Sequence, residues 1–264
     1  MKIDRDSILE QNRLRSIAEH PCYNPAAHQY ARMHMPVAPA CNIQCNYCNR
    51  KFDCMNESRP GVTSDVLNAE EALERFIAVK DKLPNLRVVG IAGPGDALAE
   101  FEKTKAAVQR IREYDPDITI CLSTNGLLLP DYAEELLDMG IRHITVTMNA
   151  VDPKIGEKIY RDINYHGKRY KNGSGAAVLL ENQLKGIRLV ANAGAVVKVN
   201  IVMIKGINDH HIEEVVKTAK DCGAYITNIM PLIPVEGTPF YSIPELPHEE
   251  LHAMRKKCGE TLRQ

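Results

Sequence analysis

Three cysteines, Cys41, Cys45 and Cys48, share the short segment CNIQCNYC. At this spacing on one loop, three thiolates can hold three irons of a 4Fe–4S cubane and leave the fourth iron open to another ligand. Structural zinc is the alternative, but it prefers paired C-x-x-C elements and four closed ligands, and no partner pair stands beside this loop. Cys22 and Cys54 fall in the same first quarter of the chain, whereas Cys121, Cys222 and Cys258 lie alone. Thiols so distributed point to metal or catalysis before a disulfide framework.

Other residues are placed to serve a ligand, each beside a plainer reading. Tyr47, just before the last cysteine, can pack against a planar group. In AGPGD, Gly93 and Gly95 allow a backbone to come close to a ligand and expose carbonyls beside Asp96; a tight turn explains them equally. The spacing is not that of a dinucleotide-binding glycine loop. Ser123 and Asn125 in STNG, Thr147 and Asn149 in TVTMN, and Asn200 and Ile201 in KVNIVMI fall near the ends of apolar runs. They can bond a small polar ligand, although buried polar groups need partners in any fold. Glu57 and Arg59 read as a simple loop ion pair; the sharper alternative is that Glu57 ligates a cluster or acts on a substrate. Taken alone, Cys121 in ITICLST reads as a buried core cysteine and His34 as a core histidine. Cys222 and Cys258 lie on expected helices and read as structural.

The elements that must position these groups repeat as strand, loop, amphipathic helix, glycine, strand. Gly140, Gly194 and Gly223 each fit the left-handed residue that closes a helix, and a short Val/Ile/Thr-rich run follows each. Earlier runs near 34–40, 86–93 and 117–124 bring the count to six strands. NAEEALERFIAVKDKL, between the first two, carries one apolar stripe through Leu73, Phe76, Ile77 and Lys80. Six strands alternating with helices predict an α/β fold, a partial (βα)6 TIM-like barrel, with a single domain over 34–264 preceded by an N-terminal arm, 1–33. Chemistry in such barrels gathers at the C-terminal ends of the strands, so the candidate residues are expected on one rim. Residues 160–176 (YRDINYHGKRYKNGSGA) break the rhythm and read as a surface loop, with a lid over the rim as the alternative.

Bulk composition adds exclusions. The chain has 264 residues, 44% hydrophobic and 25% charged, with formal net charge -1. That balance suits a globular core and gives no pull toward nucleic acid or an anionic membrane. Neither a spanning apolar run nor a secretory leader is visible, which leads to the expectation of a cytoplasmic protein.

The motifs together resemble a known family. CNIQCNYC is similar to the CxxxCxxC signature of radical S-adenosylmethionine (SAM) enzymes. HPC (His20, Pro21, Cys22), HMPVAPACNIQCNYCNRKFDC, ESRP (Glu57 to Pro60), AGPGD, CLSTNG and TVTMN, in this order from about His20 onward, resemble the NifB family of nitrogenase cofactor maturases. The resemblance implies a fold of the radical SAM type, a 4Fe–4S cluster on Cys41, Cys45 and Cys48, and SAM. It also implies a lyase-type reaction. Two further 4Fe–4S substrate clusters are fused into an eight-iron, nine-sulfur cluster, with a carbide from a SAM methyl group and one added sulfur. Read this way, Cys22, Cys54 and Cys121 hold a substrate cluster with His20 as a fourth or transient ligand. Glu57 and Arg59 become catalytic, and Tyr47, Gly93, Gly95, Asp96, Ser123, Asn125, Thr147, Asn149, Asn200 and Ile201 line the SAM site. Implied partners are an iron–sulfur cluster donor, a one-electron reductant (ferredoxin or flavodoxin) and a cofactor carrier or scaffold. The family usually carries a later C-x-x-C pair for the second substrate cluster, and Gln264 is reached without it. The same residues leave two other readings open: a radical SAM enzyme acting on a small organic substrate, and a non-enzymatic iron–sulfur carrier.

Overall fold

A computed structural model describes residues 14, 17–24, 29–49 and 65–264. Cys54, Glu57 and Arg59 lie outside the described residues. Six parallel strands, β1 (Ala31–Pro36), β3 (Leu86–Ala92), β4 (Thr119–Thr124), β5 (His143–Thr147), β8 (Val196–Met203) and β9 (Ile226–Pro231), form one sheet in the order β1-β3-β4-β5-β8-β9. The six expected strands are these, curled into a half-barrel. The first begins at Ala31, inside the stretch assigned to the arm.

Among the described residues, α1 (Ala69–Lys82), α2 (Phe101–Tyr114), α3 (Leu129–Asp138), α4 (Pro153–Ile159), α5 (Asn172–Asn192) and α6 (Ile212–Asp221) connect the strands, and α7 (His248–Gly259) follows β9. Local chemistry sets their ends. Asn68 caps α1 through the amides of Glu70 and Glu71, and the Glu71 side chain returns the bond to Asn68. Gly140, Gly194 and Gly223, with φ of 71°, 83° and 91°, close α3, α5 and α6 in the left-handed conformation expected of them. Among the described residues no helix is long and apolar enough to cross a membrane.

Side chains alternate across the strands, and the two faces differ in chemistry. Val89, Ile91, Ile120, Leu122, Ile144, Val146, Val197, Val199 and Ile201 belong to the main apolar core beneath the helices. The intervening positions, on the concave face, carry Arg32 and His34, then Cys121 and Ser123, then His143, Thr145 and Thr147, then Lys198 and Asn200. The concave lumen is therefore polar, and Ile17 and Tyr23 from the N-terminal segment pack with Val196 and Ile226 at its base.

Residues 160–171 correct the expectation of a surface loop. They form a hairpin, β6 (Tyr160–Tyr165) and β7 (Lys168–Lys171), which pairs with β2 (Ile43–Cys45) in a small antiparallel sheet. His166 and Gly167, with φ of 49° and 74°, make the two-residue turn whose positive angles suit the strand twist. Charged and polar residues fill most positions outside Tyr160 and Ile163, so the strands lack the apolar alternation that marks one in a sequence.

Candidate functional site

The cysteine turn is tied down from both sides. Ile43 pairs with Ile163, Gln44 with Asp162 and Cys45 with Tyr160. Beyond the strand, the Cys48 amide donates to the Cys45 carbonyl (3.2 Å), and the Gln44 side-chain amide donates to the carbonyls of Cys45 and Cys48 (3.0 Å each). Asn46 donates from its backbone to Ile159 (2.8 Å) and from its side chain to the Lys158 carbonyl (2.7 Å). Cys45 is buried and Cys41 and Cys48 half-buried, all as thiols. Cys41 lines a cavity of about 300 Å³ with Gln44, Asp162, Arg161 and Arg169 of the hairpin.

The AGPGD loop approaches the same turn. A side-chain carbon at Gly93 would lie 2.4 Å from the Ala38 carbonyl oxygen, and one at Gly95 would lie 2.0 Å from that of Ala40. The Gly95 amide donates to Ala38 (2.9 Å) and the Asp96 amide to Ala40 (2.8 Å). These glycines let the loop lie directly on the backbone leading into Cys41. The buried Asp96 carboxylate accepts from the Leu98 amide (2.9 Å), the Thr124 hydroxyl (3.0 and 3.1 Å) and the Asn125 amide. Burial pushes its pKa up against the effect of those bonds. Asp96 thereby fixes the end of β4, where the Asn125 side chain donates to Asn42 (2.6 Å) and reaches Cys41 Sγ at 3.8 Å.

Asn149 is buried and fully engaged. Its Nδ2 donates to the Tyr47 hydroxyl (2.8 Å), and its Oδ1 accepts from the Val202 amide (2.8 Å). Tyr47 is itself buried, so it supports the turn from below. Asn200 accepts from Asn228 (3.3 Å) beside Thr147, and Ser123 is buried one lumen position above Cys121. Ile201 points into the main core, so only its backbone faces the site.

Cys121 does not sit at the rim expected for it. Its β5 partner is His143, the first residue of that strand, and Asn125 beside Cys41 lies four positions further along the chain. At 3.3 Å per residue that is about 13 Å deeper in the lumen. There it joins a second cluster of groups. Arg32 Nη1 donates to Cys22 Sγ (2.8 Å), and the ring of His20 lies 4.7 Å from those of both Tyr23 and His143. Arg32 also bonds Cys121, whose pKa burial nevertheless raises. Burial lowers the pKa of His34 and His143 to about 4 and that of His20 to about 2, so all three rings are neutral at pH 7. Gly90 leaves the room: a side-chain carbon there would come within 2.8 Å of Arg32 and 3.1 Å of His34. A cavity of about 850 Å³ opens at the N-terminal ends of the strands and is lined in part by Arg87, Arg142 and His143.

Arg32, His143 and Lys198 escaped the sequence reading. Their signal was a polar side chain at every second position of an apolar strand, as in ARMHMP and VVKVNIVM. Cys222 and Cys258 are buried in the main core, apart from both thiol groups.

Residues 35–219 match the Radical SAM superfamily. The chain belongs to this superfamily. A 4Fe–4S cluster and SAM are accordingly its cofactors, and the three thiols of the Cys41–Cys48 turn, with an amide beside Cys41, suit the cluster. The FeMo cofactor biosynthesis protein NifB of Klebsiella pneumoniae is 48% identical over 264 residues, covering 98% of this chain and 56% of that protein. That of Rhizobium leguminosarum bv. trifolii is 52% identical over 228 residues, covering 86% and 46%. The chain thus spans about half the length of these curated relatives. Among solved structures, methylornithine synthase (PylB) matches with a TM-score of 0.62 at 15% identity, over 99% of this chain and 71% of that one. Streptococcus suis SuiB matches with a TM-score of 0.61 at 14% identity, over 98% and 54%. At such identities the likeness is one of fold, a curled parallel half-barrel.

Proposed function

We propose that the chain is a radical SAM enzyme of nitrogenase iron–molybdenum cofactor biosynthesis. In this reading it joins two 4Fe–4S substrate clusters, with a carbide and an added sulfur, into an eight-iron precursor. One observation carries it: a second set of soft ligands, Cys22 and Cys121 with lumen histidines, lies inside the barrel below the Cys41–Cys48 turn. A small organic substrate would need no thiols at that depth, and the likeness to NifB proteins supports a cluster as the substrate.

Cys41, Cys45 and Cys48 would hold the first cluster. When bound, that cluster and SAM supply a methyl group and a 5′-deoxyadenosyl radical. Asn125 and Asp96 keep the rim beside Cys41 rigid, while Asn149 and Tyr47 hold the turn from beneath. Ser123, Thr147, Asn200 and the backbones of Gly93, Gly95 and Ile201 offer polar groups along the SAM path between rim and lumen. Cys22 and Cys121 bind the incoming substrate cluster with Cys54, and His20 stands beside them. Arg32 offsets the negative charge that thiolates and cluster bring into a buried space. Glu57 and Arg59 are assigned to the chemistry. The partners are a cluster donor, a ferredoxin or flavodoxin reductant and a cofactor carrier, in the cytoplasm.

The test is iron and acid-labile sulfide per chain after anaerobic reconstitution, with paramagnetic resonance before and after SAM. About eight irons or more, with one signal shifting on SAM addition, is the expected result, because only an open-site cluster feels the ligand. Cys121→Ala should lower the iron while sparing the SAM-sensitive signal. About four irons in both forms would replace this reading with a radical SAM enzyme of another substrate.

A further inference from the structure

The hairpin β6–β7 carries charge that the fold does not use. Across residues 160–171 four cations, Arg161, Lys168, Arg169 and Lys171, stand against one carboxylate, Asp162, in a chain whose formal net charge is -1. All four cations are exposed. Asp162 holds Arg161 at 3.4 Å and Arg169 at 2.7 Å, and both guanidinium side chains stay more than half exposed. Lys168 lies over the Tyr170 ring at 4.7 Å, and among the described residues neither it nor Lys171 has a carboxylate partner. Lysines on an edge strand such as β7 deter stray strand pairing, but that role does not call for Arg161 on the inner strand. The hairpin is also firmly seated. Ile163 is buried in the second apolar cluster, and the Tyr165 hydroxyl donates to Asp131 (3.4 Å). Its place is beside the cysteine turn: Tyr160 pairs with Cys45, and Arg161 and Arg169 line the open cavity that reaches Cys41. Neighbouring strands lie about 4.8 Å apart, so a protein resting on β7 comes within about 10 Å of β2 and its cysteine.

We propose that the β6–β7 hairpin is the docking surface for an acidic ferredoxin, which delivers its electron through this face to the 4Fe–4S cluster of the Cys41–Cys48 turn. The reduced ferredoxin gives up one electron and leaves oxidised. SAM cleavage consumes that electron, one C–S bond breaking to give methionine and the 5′-deoxyadenosyl radical. A cationic face beside the cluster steers an anionic carrier and sets its orientation without needing a large apolar contact. The six residues of β6 span about 20 Å, which suits the small footprint of a transient electron-transfer encounter with a small protein. The inference rests on the radical SAM cofactors alone. It holds whichever substrate the enzyme takes, so its failure would leave the cofactor-building reading standing.

The experiment compares the anaerobically reconstituted chain with the double variant Lys168→Glu, Lys171→Glu. A control, Lys217→Glu with Lys220→Glu, reverses two exposed cations on α6 and changes the net charge equally. Binding of an oxidised acidic bacterial ferredoxin is measured by interferometry at about 0.1 and 1 M salt, where charges are screened beyond about 10 and 3 Å. SAM cleavage is then driven either by reduced ferredoxin or by dithionite. The hairpin variant should bind about tenfold more weakly at the lower salt, and the difference should fade at the higher. Ferredoxin-driven cleavage should slow in parallel, while dithionite-driven cleavage stays unchanged. Unaltered binding in the hairpin variant, an equal loss in the α6 control, or no ferredoxin binding by the parent chain overturns the docking site. A matching fall in dithionite-driven cleavage overturns it as well, because the hairpin then acts on the cluster itself. Salt-sensitive binding of flavodoxin in place of ferredoxin overturns the choice of carrier.

Discussion

Gly95→Ala separates two roles for the AGPGD loop. If Gly95 serves only to admit a ligand, the substitution leaves the metal-free chain untouched. The structure gives a different expectation. The new carbon would lie 2.0 Å from the Ala40 carbonyl oxygen, 2.4 Å from its carbon and 2.8 Å from the Ala38 oxygen. These are backbone atoms with no rotamer to yield, so the loops must part by about 1 Å to restore van der Waals contact. Parting them strains the Gly95–Ala38 and Asp96–Ala40 hydrogen bonds, at 2.9 and 2.8 Å. Each such bond contributes about 1 kcal/mol net. With about 1–3 kcal/mol for overpacking, the expected loss is about 3–5 kcal/mol, a large share of the ~5–15 kcal/mol of a typical domain. Urea unfolding of the metal-free variant, followed by far-ultraviolet circular dichroism, measures it. Iron uptake should fall in step, since Ala40 leads directly into Cys41. A stability loss below about 1 kcal/mol with unimpaired cluster uptake would refute the contact argument and return the glycines to the ligand.

Asn149→Ala should cost about 2–3 kcal/mol, because it leaves the buried Val202 amide without its acceptor and removes the donor to the Tyr47 hydroxyl; urea midpoints and iron on the first cluster check it. The metal-free chain should lose stability as pH falls from about 6.5 toward 4. In that window unfolded His143 takes up a proton that the buried ring, with its pKa lowered to about 4, refuses. The full shift corresponds to about 3 kcal/mol, and His143→Gln should flatten that part of the profile. An equal slope in the variant would count against burial as the cause. Cys222→Ala and Cys258→Ala should each cost about 1 kcal/mol through a small cavity and leave iron per chain unchanged; a drop in iron would give these thiols a metal role.

The fold was legible because its signals are local. Gly140, Gly194 and Gly223 announce helix ends, and the Val/Ile runs after them can only be buried parallel strands. The cysteine turn was legible for the same reason, three thiols falling on one short loop. The hairpin at 160–171 was not, since its stability comes from pairing with β2, a partner more than a hundred residues away in sequence, and its own residues are mostly polar. The depth of Cys121 was hidden too. Which position of a strand reaches the rim depends on its register with its neighbours, and the Cys121–His143 pairing appears only once the sheet is assembled.

A parallel sheet covered by helices on one side still has a second face to fill, and in most small barrels bulky aliphatic side chains fill it. Here Val197, Val199 and Ile201 on β8 satisfy the helix layer, while Lys198 and Asn200 between them face inward. The same alternation recurs on β1 with Arg32 and His34 and on β4 with Cys121 and Ser123. Burying so many polar groups gives up apolar contact without a matching gain in stability, and packing alone therefore does not account for them. A guest does. Cations, thiols and neutral imidazoles gathered in one lumen suit the anionic, sulfur-rich substrate of the proposed function. Arg32 and Lys198 are the discriminating positions. In the metal-free state replacing Lys198 by Met, which keeps the stem and removes the charge, should be neutral or stabilising. In the reconstituted chain it should lower second-cluster occupancy while the SAM-sensitive signal remains. If Lys198→Met leaves iron per chain and both signals unchanged, the lumen's charge is not there for the substrate.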